Sequence, residues 1–145
     1  MPKHAEVKHL PYGAEQMFDL VADVGRYPEF LPWCRGARIR RREGDLIVAD
    51  LIIGFKGITE RFTSRVQLDR DNLIIDVAYE DGPFKYLKNH WKFIEEEGGC
   101  LVDFYVEFEF RSRMLQRMIG LVFTEAVRRM VNAFEGRARD LYGDP

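Results

Sequence analysis

At 145 residues the chain has the length of one domain, able to bury roughly 70% of the surface its unfolded form exposes, and its hydrophobic content of 46% excludes a disordered tail. No apolar run approaches the ~20 residues of a membrane-spanning helix, and a net charge of −2 gives no general attraction to nucleic acid, so DNA is not an expected partner. Cys34 and Cys100 fit neither a metal motif nor a disulfide framework, and the opening MPKHAEVKHL lacks the apolar core of a signal peptide, which together set the expectation of a cytoplasmic protein with reduced thiols.

Residues 3–10 alternate, with Ala5, Val7 and His9 on the more apolar side and His4, Glu6 and Lys8 on the other, the period of a half-buried edge strand. Pro11-Tyr12-Gly13 breaks it, and residues 14–24 then place Met17, Phe18, Leu20, Val21 and Val24 at helical spacing. In RYPEFLPWC, residues 26–34, the side chains of Tyr27, Phe30, Leu31 and Trp33 crowd around Pro28 and Pro32, which permit at most a short helical turn. Those aromatics must bury or bind something.

From Ala37 the alternation is nearly continuous, which predicts an antiparallel meander and not βαβ units. Residues 46–56 carry Ile47, Ala49, Leu51, Ile53 and Phe55 on one parity and Leu46, Val48 and Ile52 on the other, a strand covered on both sides. Residues 58–68 set Phe62, Ser64, Val66 and Leu68 against a wet face of Thr59, Arg61, Thr63, Arg65 and Gln67. Residues 72–80 offer Leu73, Ile75, Val77 and Tyr79 to the inside, and a turn at 80–83 follows. In residues 86–95, Leu87, Asn89, Trp91 and Phe93 oppose Lys88, His90 and Lys92. After the polar loop 95–99 the last strand, 101–110, sets Val102, Phe104, Val106, Phe108 and Phe110 against Asp103, Tyr105, Glu107 and Glu109. Ser112 is the expected N-cap of one long helix, 114–142, whose apolar stripe is too wide for a simple surface helix. These elements predict a single α+β domain over residues 1–145, a curved antiparallel sheet of about seven strands gripping the C-terminal helix.

Chemical motifs are sparse. His4, His9 and His90 stand at no metal-ligand spacing, so no metal site is expected. There is no phosphate-cradling glycine loop and no marked nucleophile–base pair, so neither a catalytic residue nor a catalytic cofactor is expected. Glu60 shares the inward parity of Phe62; a strand-end carboxylate in water is its default reading and a place at a cavity mouth the alternative. The inward aromatics suit a filled core and an apolar ligand cavity equally well. The basic run at 35–42 is by default a solvated strand face, with RNA or anionic lipid as the alternative contact; strict alternation would put Arg38, Arg40 and Arg42 on one face.

FDLVADV at 18–24, YPEFLPWC at 27–34, Gly82-Pro83-Phe84 with Leu87 and Trp91, and MVNAFE at 130–135 together resemble the coenzyme Q-binding, START-like family, also called polyketide cyclase/dehydrase-like. The resemblance covers nearly the whole chain, and YPEFLPWC is its most specific string. It implies a helix-grip fold and a non-catalytic carrier that holds an isoprenoid quinone, ubiquinone or a similar lipid, in an apolar tunnel in support of respiratory electron transport. Candidate tunnel walls, chosen by parity, are Leu51, Phe62, Val77, Trp91, Phe104 and Phe108 from the sheet and Val127 and Met130 from the helix. Tyr27, Phe30, Leu31 and Trp33 are then a lid or membrane-touching edge, consistent with a peripheral contact at the inner face of a membrane. The same resemblance implies two alternatives. One is a toxin-like protein that binds the ribosome and inhibits subunit association, using Arg38, Arg40 and Arg42; the other is a polyketide cyclase-like enzyme.

Overall fold

The structure, a computed structural model, describes residues 3–55 and 57–144. The chain runs β1 (Lys3–Leu10), α1 (Ala14–Ala22), a 3₁₀ turn (Val24–Glu29), β2 (Cys34–Glu43), β3 (Leu46–Phe55), β4 (Ile58–Asp69), β5 (Ile74–Asp81), β6 (Phe84–Glu96), β7 (Gly99–Phe110) and α2 (Arg113–Tyr142). The seven strands form one antiparallel sheet in the order β1-β7-β6-β5-β4-β3-β2, so the meander from β2 to β7 is closed at its far edge by the first strand. This is the helix grip expected from the sequence. The predicted end of the third strand at Lys56 lies outside the described residues.

Register builds the inner face row by row. Ile47 pairs with Val66, Val66 with Val77, Val77 with Asn89 and Asn89 with Val106. One step along, Leu68, Ile75, Trp91 and Phe104 form the next row. Because side chains alternate across a strand, these rows place all the inward residues of neighbouring strands on the concave side. β5 begins later than expected, at Ile74, because Leu73 adopts a left-handed backbone (φ 53°) that ends the preceding turn.

The same register corrects the reading of β1. His4 pairs with Val106, Glu6 with Phe104 and Lys8 with Val102, which puts the polar side inward and leaves Val7 61% exposed. An edge strand needs no apolar inner face when its neighbours there are polar. His4 Nε2 lies 2.8 Å from Glu6 Oε1, and Lys8 forms an ion pair with Glu135 of α2.

The ends of α2 are held differently. Of its residues Val127, at the midpoint, and Phe134 and Ala138, in the C-terminal half, are buried. Phe134 meets the rings of Tyr27, Phe30 and Trp91 edge-on at centroid separations of 5.7, 5.3 and 5.2 Å. Tyr12 donates to the Gly143 carbonyl at 3.0 Å, and Tyr142 donates to the Gln16 carbonyl at 2.9 Å, which ties this end to α1. The N-terminal half starts from the expected Ser112 cap, whose hydroxyl accepts from Leu115 N at 3.2 Å, but it buries no side chain before Val127 at the midpoint.

On the convex side of β3, Val48 is buried as the two-sided apolar pattern anticipates, whereas Ile52 is exposed and Asp50, which that pattern did not include, is buried. Burial by itself would raise the Asp50 pKa. Hydrogen bonds from Thr63 Oγ1 at 2.5 Å and Arg40 Nε at 2.8 Å outweigh it and hold the carboxyl below its usual range.

Three outcomes follow from this packing. Phe134→Ala removes the shared partner of three rings and lowers unfolding free energy by about 3–5 kcal/mol in urea titrations, whereas the exposed Leu121→Ala changes it by less than about 0.5 kcal/mol. A chain lacking residues 130–145 does not fold. Since the folded Asp50 pKa is depressed, its stabilisation is present above the unfolded value of about 3.9 and is lost as pH falls through the folded value. The stability difference between wild type and Asp50→Asn, measured by urea titration from pH 7 to pH 3, therefore shrinks below about pH 4.

Candidate functional site: an apolar two-chamber cavity

Between the concave face and α2 lie two adjoining cavities. An outer chamber of about 290 Å³ extends from Phe55 and Ile58 at the β3–β4 turn to Leu115, Met118 and Ile119 on the N-terminal half of α2, with Phe84, Phe108 and Phe110 as its floor. An inner chamber of about 230 Å³ reaches Val24, Tyr27 and Leu31 at the closed end, past Val66, Ile75, Trp91 and Phe104. Trp33, Ile53, Phe62, Leu87, Val106 and Met130 line both, so the two form one elongated space. The outer chamber lies where α2 stands off the sheet, and the inner one where the Phe134 contacts draw it close.

Of the predicted wall residues, Leu51, Val77, Trp91 and Phe104 line the inner chamber, Phe108 and Val127 the outer, and Phe62 and Met130 both. Ile53, Leu87 and Val106 share the parity of those residues and were legible by the same rule. Ser64 and Asn89 also face inward by parity; their polarity hid them from a search for apolar walls. Glu60 lines the outer chamber, at the position its alternative reading gave it.

Tyr27, Phe30 and Leu31 pack against the core, and the Tyr27 hydroxyl donates to the Val21 carbonyl at 2.5 Å, with burial pushing its pKa up. Trp33 is half-buried where the chambers meet. The segment therefore closes the inner end of the cavity from within. The exposed apolar side chains lie elsewhere, with Met114 and Leu121 on the outward face of α2 near Arg113 and Arg117.

The basic strand needs a correction. Bulges at Arg35 and Arg40 interrupt the β2–β3 register: Arg38 pairs with Asp50, Ile39 with Ala49, Arg41 with Val48 and Arg42 with Ile47. Each extra residue flips the parity that follows, so Arg38 and Arg42 lie on opposite faces and Arg40 turns its guanidinium onto Asp50. Arg38 and Arg41 instead share the convex face with Arg61 and Arg65 of β4. Arg41 lies 3.3 Å from Glu43 and Arg65 3.6 Å from Glu80; Arg38 and Arg61 form no ion pair among the described residues. The other bulge residue, Arg35, runs across Gly54, where a Cβ would sit 1.9 Å from its Nε and would displace the arginine side chain.

Neither thiol is activated. Burial pushes Cys34 up despite its contact with the Gly36 carbonyl, and burial beside Glu95 and Glu96 pushes Cys100 to about 11. Among the described residues no group of three or more His, Cys, Asp or Glu side chains stands close enough to hold a metal ion, and no helix is long and apolar enough to cross a membrane.

Comparison with known proteins gives the relationship. The chain is 40% identical over 137 residues to the ribosome association toxin RatA of Rickettsia prowazekii, spanning 92% of this chain and 94% of that one. It is 33% identical over 145 residues to the mitochondrial coenzyme Q-binding protein COQ10 homolog B of Xenopus laevis, covering 97% of this chain and 59% of that protein. The solution structure of the 18 kDa protein CC1736 from Caulobacter crescentus superposes with a TM-score of 0.80 at 38% identity, over 99% of this chain and 100% of that one. Residues 10–135 match the family described as polyketide cyclase / dehydrase and lipid transport, and with a START-like fold, a cavity in its grip and these relatives, the chain belongs to that family.

Proposed function

We propose that the protein is a non-catalytic carrier of an isoprenoid quinone. The observation that carries this reading is the continuous apolar space from Phe55 to Tyr27, whose walls are aliphatic and aromatic with few polar groups. Pockets for small molecules are mostly apolar, with a few placed polar groups that set orientation. A long, flexible apolar molecule gains from such walls because each methylene withdrawn from water contributes about 0.8 kcal/mol. The name of the frog relative supports the choice of ligand. Loading and release take place at a membrane surface, where Met114 and Leu121 enter the interface and Arg113 and Arg117 meet anionic lipid.

Ribosome binding is a second reading, favoured by the name of the bacterial relative and by the convex face, where Arg38, Arg41, Arg61 and Arg65 are exposed together. Such a group can neutralise several phosphates although the whole chain is slightly acidic. The convex face and the cavity lie on opposite sides of the sheet, so one protein can hold both activities.

Organic extraction of the purified protein is expected to yield a quinone, or the stripped protein to bind added short-chain ubiquinone. Leu87→Trp, which fills the junction of the chambers, weakens that binding at least tenfold with an unchanged circular dichroism spectrum. No quinone in the extract and no binding of added quinone would overturn the carrier reading, and turnover of a polyketide-like substrate would favour the cyclase. For the second reading, sedimentation of lysate at low and high salt compares wild type with Arg38→Glu/Arg61→Glu. Salt-sensitive co-sedimentation with ribosomes, lost in the variant while quinone binding persists, is the expected result; no co-sedimentation at any salt rejects it.

A further inference from the structure

The inner chamber contains a polar side chain with no partner. Its other side-chain donors are mostly committed. Tyr27 donates to the Val21 carbonyl, and Cys34 to the Gly36 carbonyl at 3.4 Å. Asn89 donates to the Tyr105 carbonyl at 2.9 Å and accepts from Trp91 Nε1 at 3.0 Å. Ser64 is 1% exposed, lies on the cavity wall between Phe62 and Val66, and its hydroxyl has no hydrogen-bond partner among the described residues. Trp33 also lacks one, but it is only half-buried and sits at the junction of the chambers.

A buried hydroxyl is unfavourable unless it is paired. A water molecule needs two to four polar partners, which this apolar wall scarcely offers, whereas a ligand carbonyl oxygen needs only the one donor. The outer chamber has the opposite character. Apart from the Trp33 indole at the junction, its polar side chain is Glu60, whose carboxylate repels a carbonyl oxygen. The cavity is therefore directional, with its buried donor in the inner chamber and an acceptor in the outer one. Trp91 and Phe104, with ring centroids 4.4 Å apart, give the same inner chamber flat aromatic surface.

We propose that the ligand enters head first, with the Ser64 hydroxyl donating a hydrogen bond to a carbonyl oxygen on a flat ring in the inner chamber and the apolar tail lying in the outer chamber toward Phe55 and Ile58. This rests on the carrier reading and adds an orientation and an anchoring residue to it. It also defines the ligand class as a carbonyl-bearing ring with an apolar tail, as opposed to a hydrocarbon or a fatty acid, whose carboxylate would need a cation at the closed end.

The test uses the full chain with a short-chain ubiquinone labelled with carbon-13 at its ring carbonyls, followed by isotope-edited infrared spectroscopy. In wild type and in Trp33→Phe one bound carbonyl band is expected at lower frequency than in hexane. In Ser64→Ala it returns to the hexane position. Ser64→Ala also weakens quinone binding about five- to tenfold, the effect of one neutral hydrogen bond, while an isoprenoid hydrocarbon of equal chain length binds both proteins equally. Quinone bound by wild type with no band shift, or a shift that survives Ser64→Ala, overturns the Ser64 anchor and leaves the carrier reading standing. Failure of wild type to bind quinone, whether or not it binds the hydrocarbon, removes the carrier reading, and the anchor with it.

Discussion

Phe134 meets Trp91 on one side and Tyr27 and Phe30 on the other, and this aromatic contact fixes the distance between helix and sheet at the C-terminal half of α2. The carbonyl contacts of Tyr12 and Tyr142, and the ion pair of Arg137 with Glu29 at 2.9 Å, hold the same end. The N-terminal half is tied to the sheet by one hydrogen bond, from Phe110 N to Gln116 Oε1 at 2.8 Å, and otherwise rests on it through half-buried Leu115, Ile119 and Phe123. A rigid helix pinned along half its length over a curved surface leaves a gap along the other half. The cavity follows from that geometry and not from a shortage of large side chains, since Phe62, Phe84, Phe108 and Phe110 all border it.

Where burial and alternation agree, the sequence was easily legible. β4, β6 and β7 keep one side mainly apolar and the other mainly polar, so their inward sets followed from parity, although Thr63 on the face expected to be wet is buried against Asp50. Two strands misled for physical reasons. In β1 the apolar side faces solvent, because an edge strand beside Glu135 can satisfy inward polar groups by pairing them. In β2 the parity rule fails at each bulge, and a bulge leaves no mark in a run of arginines. The cavity was half legible. Inward aromatics at period two show which residues face the helix, but whether they touch it depends on how far the helix stands away, a tertiary distance that local periodicity does not encode. Ser64 was visible as an inward residue; its lack of a partner depends on where Asn89, Tyr27 and Cys34 turn their own polar atoms.

The sheet separates two kinds of chemistry. Its concave side is dry and takes up apolar surface, while its convex side carries arginine, buried Asp50 and exposed carboxylates. Asp50 connects the two sides indirectly. Its neighbours along β3, Ala49 and Leu51, face inward, so the ion pair that fixes Arg40 also steadies the strand that walls the inner chamber. The relatives named for a ribosome and for coenzyme Q need not mark a contradiction in such a molecule, because each name concerns chemistry that a different face can serve.

The bulges in β2 have a consequence beyond the placing of arginines. β2 and β1 are the two margins of the sheet, where unpaired backbone N–H and C=O groups could recruit a strand from another molecule. A strand broken twice in register and studded with cations offers no long straight ladder to a newcomer, and at the opposite margin inward Glu6 and Lys8 set charges along the line where a second copy would have to dock. The protein can thus keep an open, apolar-lined sheet in crowded solution without its rims seeding fibrous aggregation.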